Sequence, residues 1–563
     1  MHEHRIAVLA AVALALALGL GSDARSAEIL PDDIVFHDTN LTVDVSAPRL
    51  ALSGEQFAVD VAVSETTGNG PEYTQVELEA GGATLRSKLV SVPAGGSSTV
   101  TFPVTLSDDG SYTIEARLPE SEISAQAPVD VTQFRANLAS VLLPSLVGYG
   151  GQFNHHLFFK PLNPIVPPGA PALEEKIETL EPQIVRIFFP PLALTQPERL
   201  ASFIEVVELA QRSGAVINVT WQSNSSSIEL NMSRFANVLA DLVKNRGVSN
   251  LRWVTLLNEP NSTLVPLPTY ERMYRVLHGF LVTAGVREQI RFMGGDLVQD
   301  KQREWFEYMA ANMADVLDAY SVHIFWDYWD TGKIAQRLED VRKIVTEELP
   351  VSGRKPTYVM EYGVRGIRRP DGPTGPLVPE PGLWSDRTPM ARTNISAFQM
   401  GWFNVFAARL GYPATSVWDT FNAKYDNGTQ DYSCIGPAPD FELRPCYSLL
   451  RLFTATTEPG WRIVGLDGGS GGKLLTAYSG TGGMTVIGLD RAGGSLNDGS
   501  GGPSTYTVSG LPSLTTFKLV VWNRDGTGQL TSDQEIVTDA LGIARLTVAQ
   551  HAVWALTTHP IAD

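Results

Sequence analysis

Leu251-Arg252-Trp253-Val254-Thr255-Leu256-Leu257-Asn258-Glu259-Pro260 is an apolar run that stops on an amide, a carboxylate and a proline. Thr357-Tyr358-Val359-Met360-Glu361-Tyr362-Gly363 is a second run carrying a carboxylate near its end. Six further apolar runs lie around them: Val141–Tyr149, Ile184–Phe189, Ala215–Trp221, Ile290–Gly294, Val316–His323 and Thr415–Trp418. Helix-period stretches separate them. Phe235, Val238, Leu239, Leu242 and Val243 follow the i, i+3, i+4, i+7, i+8 spacing, which Gly247 ends, and Met273, Val276, Leu277, Phe280 and Leu281 repeat it. Eight strand–helix units over residues 135–455 predict a (β/α)8 barrel. A doubly wound open sheet would carry a glycine-rich phosphate turn after its first strand, and Gly148-Tyr149-Gly150-Gly151 lacks the required spacing.

The flanks read differently. In residues 28–134, Phe57, Val59, Val61 and Val63 alternate with small or polar residues, as do Val100, Phe102, Val104 and Leu106. With Asp108-Asp109-Gly110 as a turn, this predicts an immunoglobulin-like β-sandwich. Residues 456–563 return to alternation at Phe517, Leu519 and Val521 and predict a second β-sandwich. The first 27 residues read as a signal peptide. His4 and Arg5 precede an apolar run from Ile6 to Leu20, and Ala24-Arg25-Ser26-Ala27 supplies small residues for cleavage. The expectation is a secreted or periplasmic protein with no membrane-spanning segment after processing.

A formal net charge of -18 argues against nucleic acid as a partner, because an acidic surface repels phosphates. The two cysteines, Cys434 and Cys446, are expected to form one disulfide closing a surface loop of an exported protein. No CxxC or HExxH pattern accompanies them, so no metal is expected.

In a barrel of this kind the active site lies at the C-terminal strand ends. Glu259 and Glu361 would then face each other across one mouth, from the fourth and seventh strands. Two facing carboxylates suit glycosidic cleavage, one protonating the leaving oxygen and the other attacking the anomeric carbon. Asn-Glu-Pro closing the fourth strand, with a Glu closing the seventh, resembles the clan A glycoside hydrolases. Family 39 is the nearest in look, with families 5 and 30 close. The resemblance covers the barrel and implies that Glu259 is the acid/base, that Glu361 is the nucleophile of a retaining double displacement, and that Asn258 contacts the substrate. It places an Arg near the nucleophile, here Arg186, a charge in an apolar run that needs a carboxylate partner and is expected to hold Glu361 ionised. It places a His-x-Tyr at the end of the sixth strand. His323 fits, but Phe325 stands where the Tyr would be, and Tyr328 is the alternative source of that hydroxyl. It also implies that Trp418 floors the cleaved sugar. Trp221 and Trp326 are further candidates for stacking on sugar faces, and His155 for hydrogen bonding to substrate. The Pro- and Gly-rich segment 366–386 reads as a rim over the cleft. The expected substrate is a poly- or oligosaccharide, with no cofactor. The rival readings are a non-catalytic carbohydrate-binding scaffold and an inverting hydrolase.

Overall fold

The computed structural model describes residues 40–561, apart from 164–169, 223–226, 264, 300, 366, 369–377, 380–389, 422–431, 470–471 and 493–501. The proposed signal peptide lies outside the described residues, as does most of the 366–386 segment. Among the described residues, no helix is long and apolar enough to cross a membrane.

The chain divides into two compact units, Met1–Thr132 and Gln133–Asp563. In the first, a three-stranded sheet (Leu41–Ser46, Gln56–Glu65, Ser97–Thr105) and a five-stranded sheet enclose one core. Val59, Val61 and Val63 meet Val76, Leu78, Ile114 and Ala116 there. Period-2 alternation puts these residues on one face and polar neighbours on the other, so the two sheets form a sandwich.

The second unit holds a closed parallel barrel of eight strands. We number them β1 (Gly148–Phe153), β2 (Ile184–Phe189), β3 (Val216–Trp221), β4 (Leu251–Leu256), β5 (Arg291–Leu297), β6 (Ala319–Asp327), β7 (Thr357–Arg365) and β8 (Ala414–Val417). The helices follow from the apolar stripes: Ile228–Lys244 buries Phe235, Leu239 and Leu242, and Leu267–Thr283 buries Met273, Leu277 and Leu281. The floor inside the barrel is apolar, built from Ile184, Trp253, Met293, Ala319, Tyr358, Met360 and Ala414. Alternate residues such as Val185, Ile187 and Phe189 point outward into the core against the helices.

One strand falls elsewhere than expected. The run placed at Val141–Tyr149 divides: Phe134–Leu143 pairs with Arg462–Gly468 and Ser504–Ser509 in a nine-stranded sheet, and only Gly148 onward enters the barrel. That sheet folds over on itself. Tyr506 and Trp554 lie on strands far apart in its order, yet their rings meet at 4.9 Å. The result is a second sandwich that borrows a strand from before the barrel.

The expected disulfide is absent. Cys434 and Cys446 are free thiols, and both are buried. Cys446 lies in the first turn of helix Pro445–Thr456, its sulfur 3.8 Å from the Ala391 carbonyl oxygen and 3.9 Å from that of Ser433. The pair sits in the core rather than across a surface loop. Burial, followed by the contact with Cys446, pushes the Cys434 thiol well above its ordinary value and keeps it protonated.

Candidate active site

Alternation carries Arg186 into the barrel, two residues above Ile184 of the apolar floor. A buried guanidinium must satisfy five N–H donors, and here each finds an acceptor on a different residue. Nε donates to Thr220 Oγ1 (3.0 Å), and Nη1 donates to Gln152 Oε1 (3.1 Å) and to Glu361. Nη2 donates to Asn258 Oδ1 (2.9 Å) and to Asp296. One side chain thus ties together β1, β3, β5, β7 and the turn after β4.

Local backbone irregularities aim the acidic groups. Met360 and Tyr358 both belong to the interior floor, so simple alternation would turn Glu361 outward. Between Val322–Val359 and His323–Glu361 the β6–β7 register slips by one residue, and this bulge brings Glu361 inward as well. On β5 the register slips between Gly294 and Leu297. Gly295 there has φ +127°, and a Cβ would overlap the Ser321 carbonyl oxygen. The slip turns Asp296 inward. After β4, Leu257 and Glu259 both adopt positive φ, which lifts Glu259 to the rim, where 29% of its side chain is exposed.

His323 stands between the acidic groups, fully buried. Its Nδ1 lies 3.0 Å from Glu259 Oε1 and 3.4 Å from Glu361 Oε2, and its Nε2 lies 3.5 Å from Asp296 Oδ1. One oxygen of Glu259, one of Glu361 and a ring nitrogen of His323 all fall within 4.8 Å of one another. Burial alone would lower the imidazole's pKa, but the charges of Glu361 and Asp296 outweigh it and bring it to about 9. His323 is therefore a cation at neutral pH. With Arg186 it already supplies two positive charges to this cluster, which opposes entry of a divalent ion.

Arg186 acts on the nucleophile in the expected direction, lowering its pKa, but it does not set the net shift. Burial pushes the Glu361 carboxyl above its ordinary value, against the lowering effects of His323 and Arg186, and Glu259 and Asp296 add to the rise. Asp296 moves the other way. Burial opposes its ionisation, but Arg186 and then His323 overcome this and hold it well below the usual carboxylate range.

The aromatic candidates separate. Trp418 follows β8 half-buried, its ring 5.7 Å from Phe188, which in turn lies under the Arg186 guanidinium. Trp221 shares the outward face of β3 with Ile217 and Val219 and packs on Phe189 and Phe235, so it belongs to the core and not to the mouth. Trp326 is likewise turned outward from β6. It stacks with Tyr362 and Phe403, and its Nε1 donates to Gln399. Tyr328 is buried in the same outer core, its carbonyl accepting from Gln399. His155 lies in a short helical turn, buried and stacked on His156 at 4.0 Å. Burial, then His156 and Arg199, lower its pKa well below the ordinary value, so it is neutral.

Asp296, Gln152 and Thr220 were not singled out in the sequence as site residues. Tyr432 is a further addition. Its ring packs edge-on against Phe325 at 6.0 Å, and its phenol feels the charges of Glu361 and Asp419.

No family model matches the chain, and no curated protein does. Solved structures do. An arabinose-bound MgGH51 α-L-arabinofuranosidase is 10% identical, with 92% of this chain and 90% of that chain covered and a TM-score of 0.48. A β-mannanase from Streptomyces thermolilacinus is 13% identical over 53% of this chain and 86% of its own, with a TM-score of 0.31. The CARDB domain of a Pyrococcus furiosus protein is 22% identical over 16% of this chain and 94% of its own, with a TM-score of 0.16.

Proposed function

We propose that the protein is a retaining glycoside hydrolase acting on a poly- or oligosaccharide. The observation that carries the reading is the pair Glu259, in the turn after β4, and Glu361, within β7, with oxygens within 4.8 Å of each other at one mouth of the barrel. Retaining enzymes hold their carboxyl groups ~5–5.5 Å apart, whereas inverting ones leave ~6.5–9.5 Å for a water. The closer spacing favours a direct attack on the sugar over activation of a water.

Glu361 attacks the anomeric carbon and forms a glycosyl ester while Glu259 donates its proton to the departing oxygen. Glu259 then deprotonates a water, which breaks the ester and restores both groups. Arg186 and the His323 cation both contact Glu361 and favour its ionised form, as attack requires. Trp418 offers an accessible apolar face for the C–H side of a sugar ring.

A panel of polysaccharides and aryl glycosides finds the substrate. With an activated aryl glycoside, Glu259→Gln should still form the glycosyl ester, and azide should restore turnover with retention. Glu361→Gln should lose the covalent route, and azide should give the opposite anomer. Wild-type rates for both variants on the natural glycan would show that these carboxylates are not the catalysts.

A further inference from the structure

We propose that Asp296 is a positioning residue for this hydrolysis: its carboxylate spans Arg186 and His323 and holds the imidazole in the doubly protonated form that donates toward both glutamates. The inference rests on the hydrolase reading for its kinetic consequence, though not for its structural one.

The geometry is a closed ring of alternating charge. Arg186 contacts Asp296 and Glu361, and His323 faces the same two, through Nε2 at 3.5 Å and Nδ1 at 3.4 Å. Each cation thus lies between two anions, and each anion between two cations. Arg186, Asp296 and His323 are fully buried, where charges interact strongly and an unpaired one is costly. Asp296 is itself fixed. The Ser321 hydroxyl donates to its Oδ1 (2.7 Å), and its own N–H donates to that hydroxyl oxygen (2.6 Å). Below it, the Gly295 N–H donates to the Tyr270 hydroxyl (2.7 Å) and pins the bulge.

Without Asp296, both cations would crowd onto Glu361. An imidazole that loses one of its three carboxylate partners, here a fully buried one, gives up its proton more readily. Glu259, Asp296 and Glu361 are the acidic groups that contact His323, from the β4 turn, β5 and β7; Arg186 is the nearby cation. Asp296 makes no contact with Glu259 among those resolved, so its effect on the acid/base passes through the ring of His323.

The test is Asp296→Asn, which keeps size and removes charge. Titration of the 15N-labelled His323 ring, assigned with His323→Gln, should show the midpoint falling by about one pH unit or more relative to wild type. The alkaline limb of kcat/KM on an aryl glycoside should move down with it, and the acid limb should move down too, because Asp296 is among the groups that raise the Glu361 carboxyl. An unchanged His323 midpoint in a folded Asp296→Asn protein overturns the proposal. If that variant does not fold, His323 is titrated in Glu361→Gln, where Asp296 is its remaining buried carboxylate partner. A midpoint still above the ordinary 6.5 supports the proposal, and one at or below it overturns it. If no glycoside is turned over by wild type, the hydrolase reading fails, but the ring titration still decides the role of Asp296.

Discussion

Arg186→Met removes the cation at the centre of the site while keeping most of the stem's volume. Its cost follows from burial. Arg186 and Asp296 are fully buried and Glu361 nearly so, so solvent screens these contacts little. Removing one partner of a buried ion pair typically costs ~3–5 kcal/mol, because the other charge is left uncompensated. Two carboxylates are stranded here, along with acceptors on Gln152, Thr220 and Asn258. A loss of at least that size is expected at pH 7.

The loss should depend on pH, with a definite sign. The folded Asp296 carboxyl lies below its ordinary value, so it contributes stability above about pH 3.8 that is lost as pH falls through the folded value. Much of that contribution comes from Arg186 and disappears in the variant. Glu361, already raised by burial, would rise further once Arg186 is gone. In the variant both acids take up protons at a higher pH, which relieves the stranded charge. The deficit should therefore shrink between pH 7 and 4.5, by up to ~1.4 kcal/mol per pH unit for each extra proton bound. Urea unfolding of wild type and variant across that range, followed by tryptophan fluorescence, measures it. Arg186→Lys is the control: it keeps the charge but loses the five-donor fork, so its deficit should vary less with pH. A Met deficit below ~1 kcal/mol, or one flat from pH 7 to 4.5, would refute the account of Arg186 as the charge that holds both acids.

Three other outcomes follow. Because Glu361 must be ionised to attack and its carboxyl lies above the ordinary value, kcat/KM should fall with decreasing pH through a midpoint above 4.5, and a midpoint at or below 4.5 contradicts this. Trp418→Ala should lower kcat/KM about tenfold by loss of a stacking face, with little loss of stability. Trp221→Ala and Trp326→Ala should instead destabilise the protein by ~3–5 kcal/mol, as cavities in the core do, and equal effects at all three sites would undo the distinction. Thiol titration of unreduced protein should find no reactive cysteine in the folded state and two after unfolding, whereas none after unfolding would show a disulfide.

The barrel was legible because eight apolar runs alternate with helix-period stretches, and its site because a few of those runs carry chemistry that has no place in an apolar run. Asn258, Glu259 and Glu361 stand out against Val, Leu and Met, and Arg186 stands out within β2. The N-terminal sandwich was legible from alternation alone. The misplaced first strand has a simple cause. The apolar run Val141–Tyr149 straddles two strands, and nothing local says that its first residues belong to a strand, Phe134–Leu143, that pairs with segments more than three hundred residues later. Strand pairing is non-local, and this one closes only when the C-terminal sheet forms.

The aromatic assignments show a different gap. With His323 facing inward, alternation sends Ile324 and Trp326 outward, and with Asn218 and Thr220 inward it sends Trp221 outward with Val219. The pattern was present in the sequence, but proximity to a strand end outweighed it. Asp296 is the opposite case, since alternation conceals it. Phe292 points out and Met293 in, so an even count from Met293 would leave Gly295 inward and Asp296 outward. Only the added residue at Gly294–Leu297 reverses the parity. The same reversal at Met360 brings Glu361 inward beside another interior residue. Both acids that contact Arg186 are thus delivered by bulges. A regular strand presents one side chain per two residues to the barrel interior, whereas this site needs carboxylates at a level where Met293 and Met360 have already taken the regular positions. The glycine at 295, which tolerates the positive φ the slip requires, is the residue in the sequence from which that irregularity can be inferred.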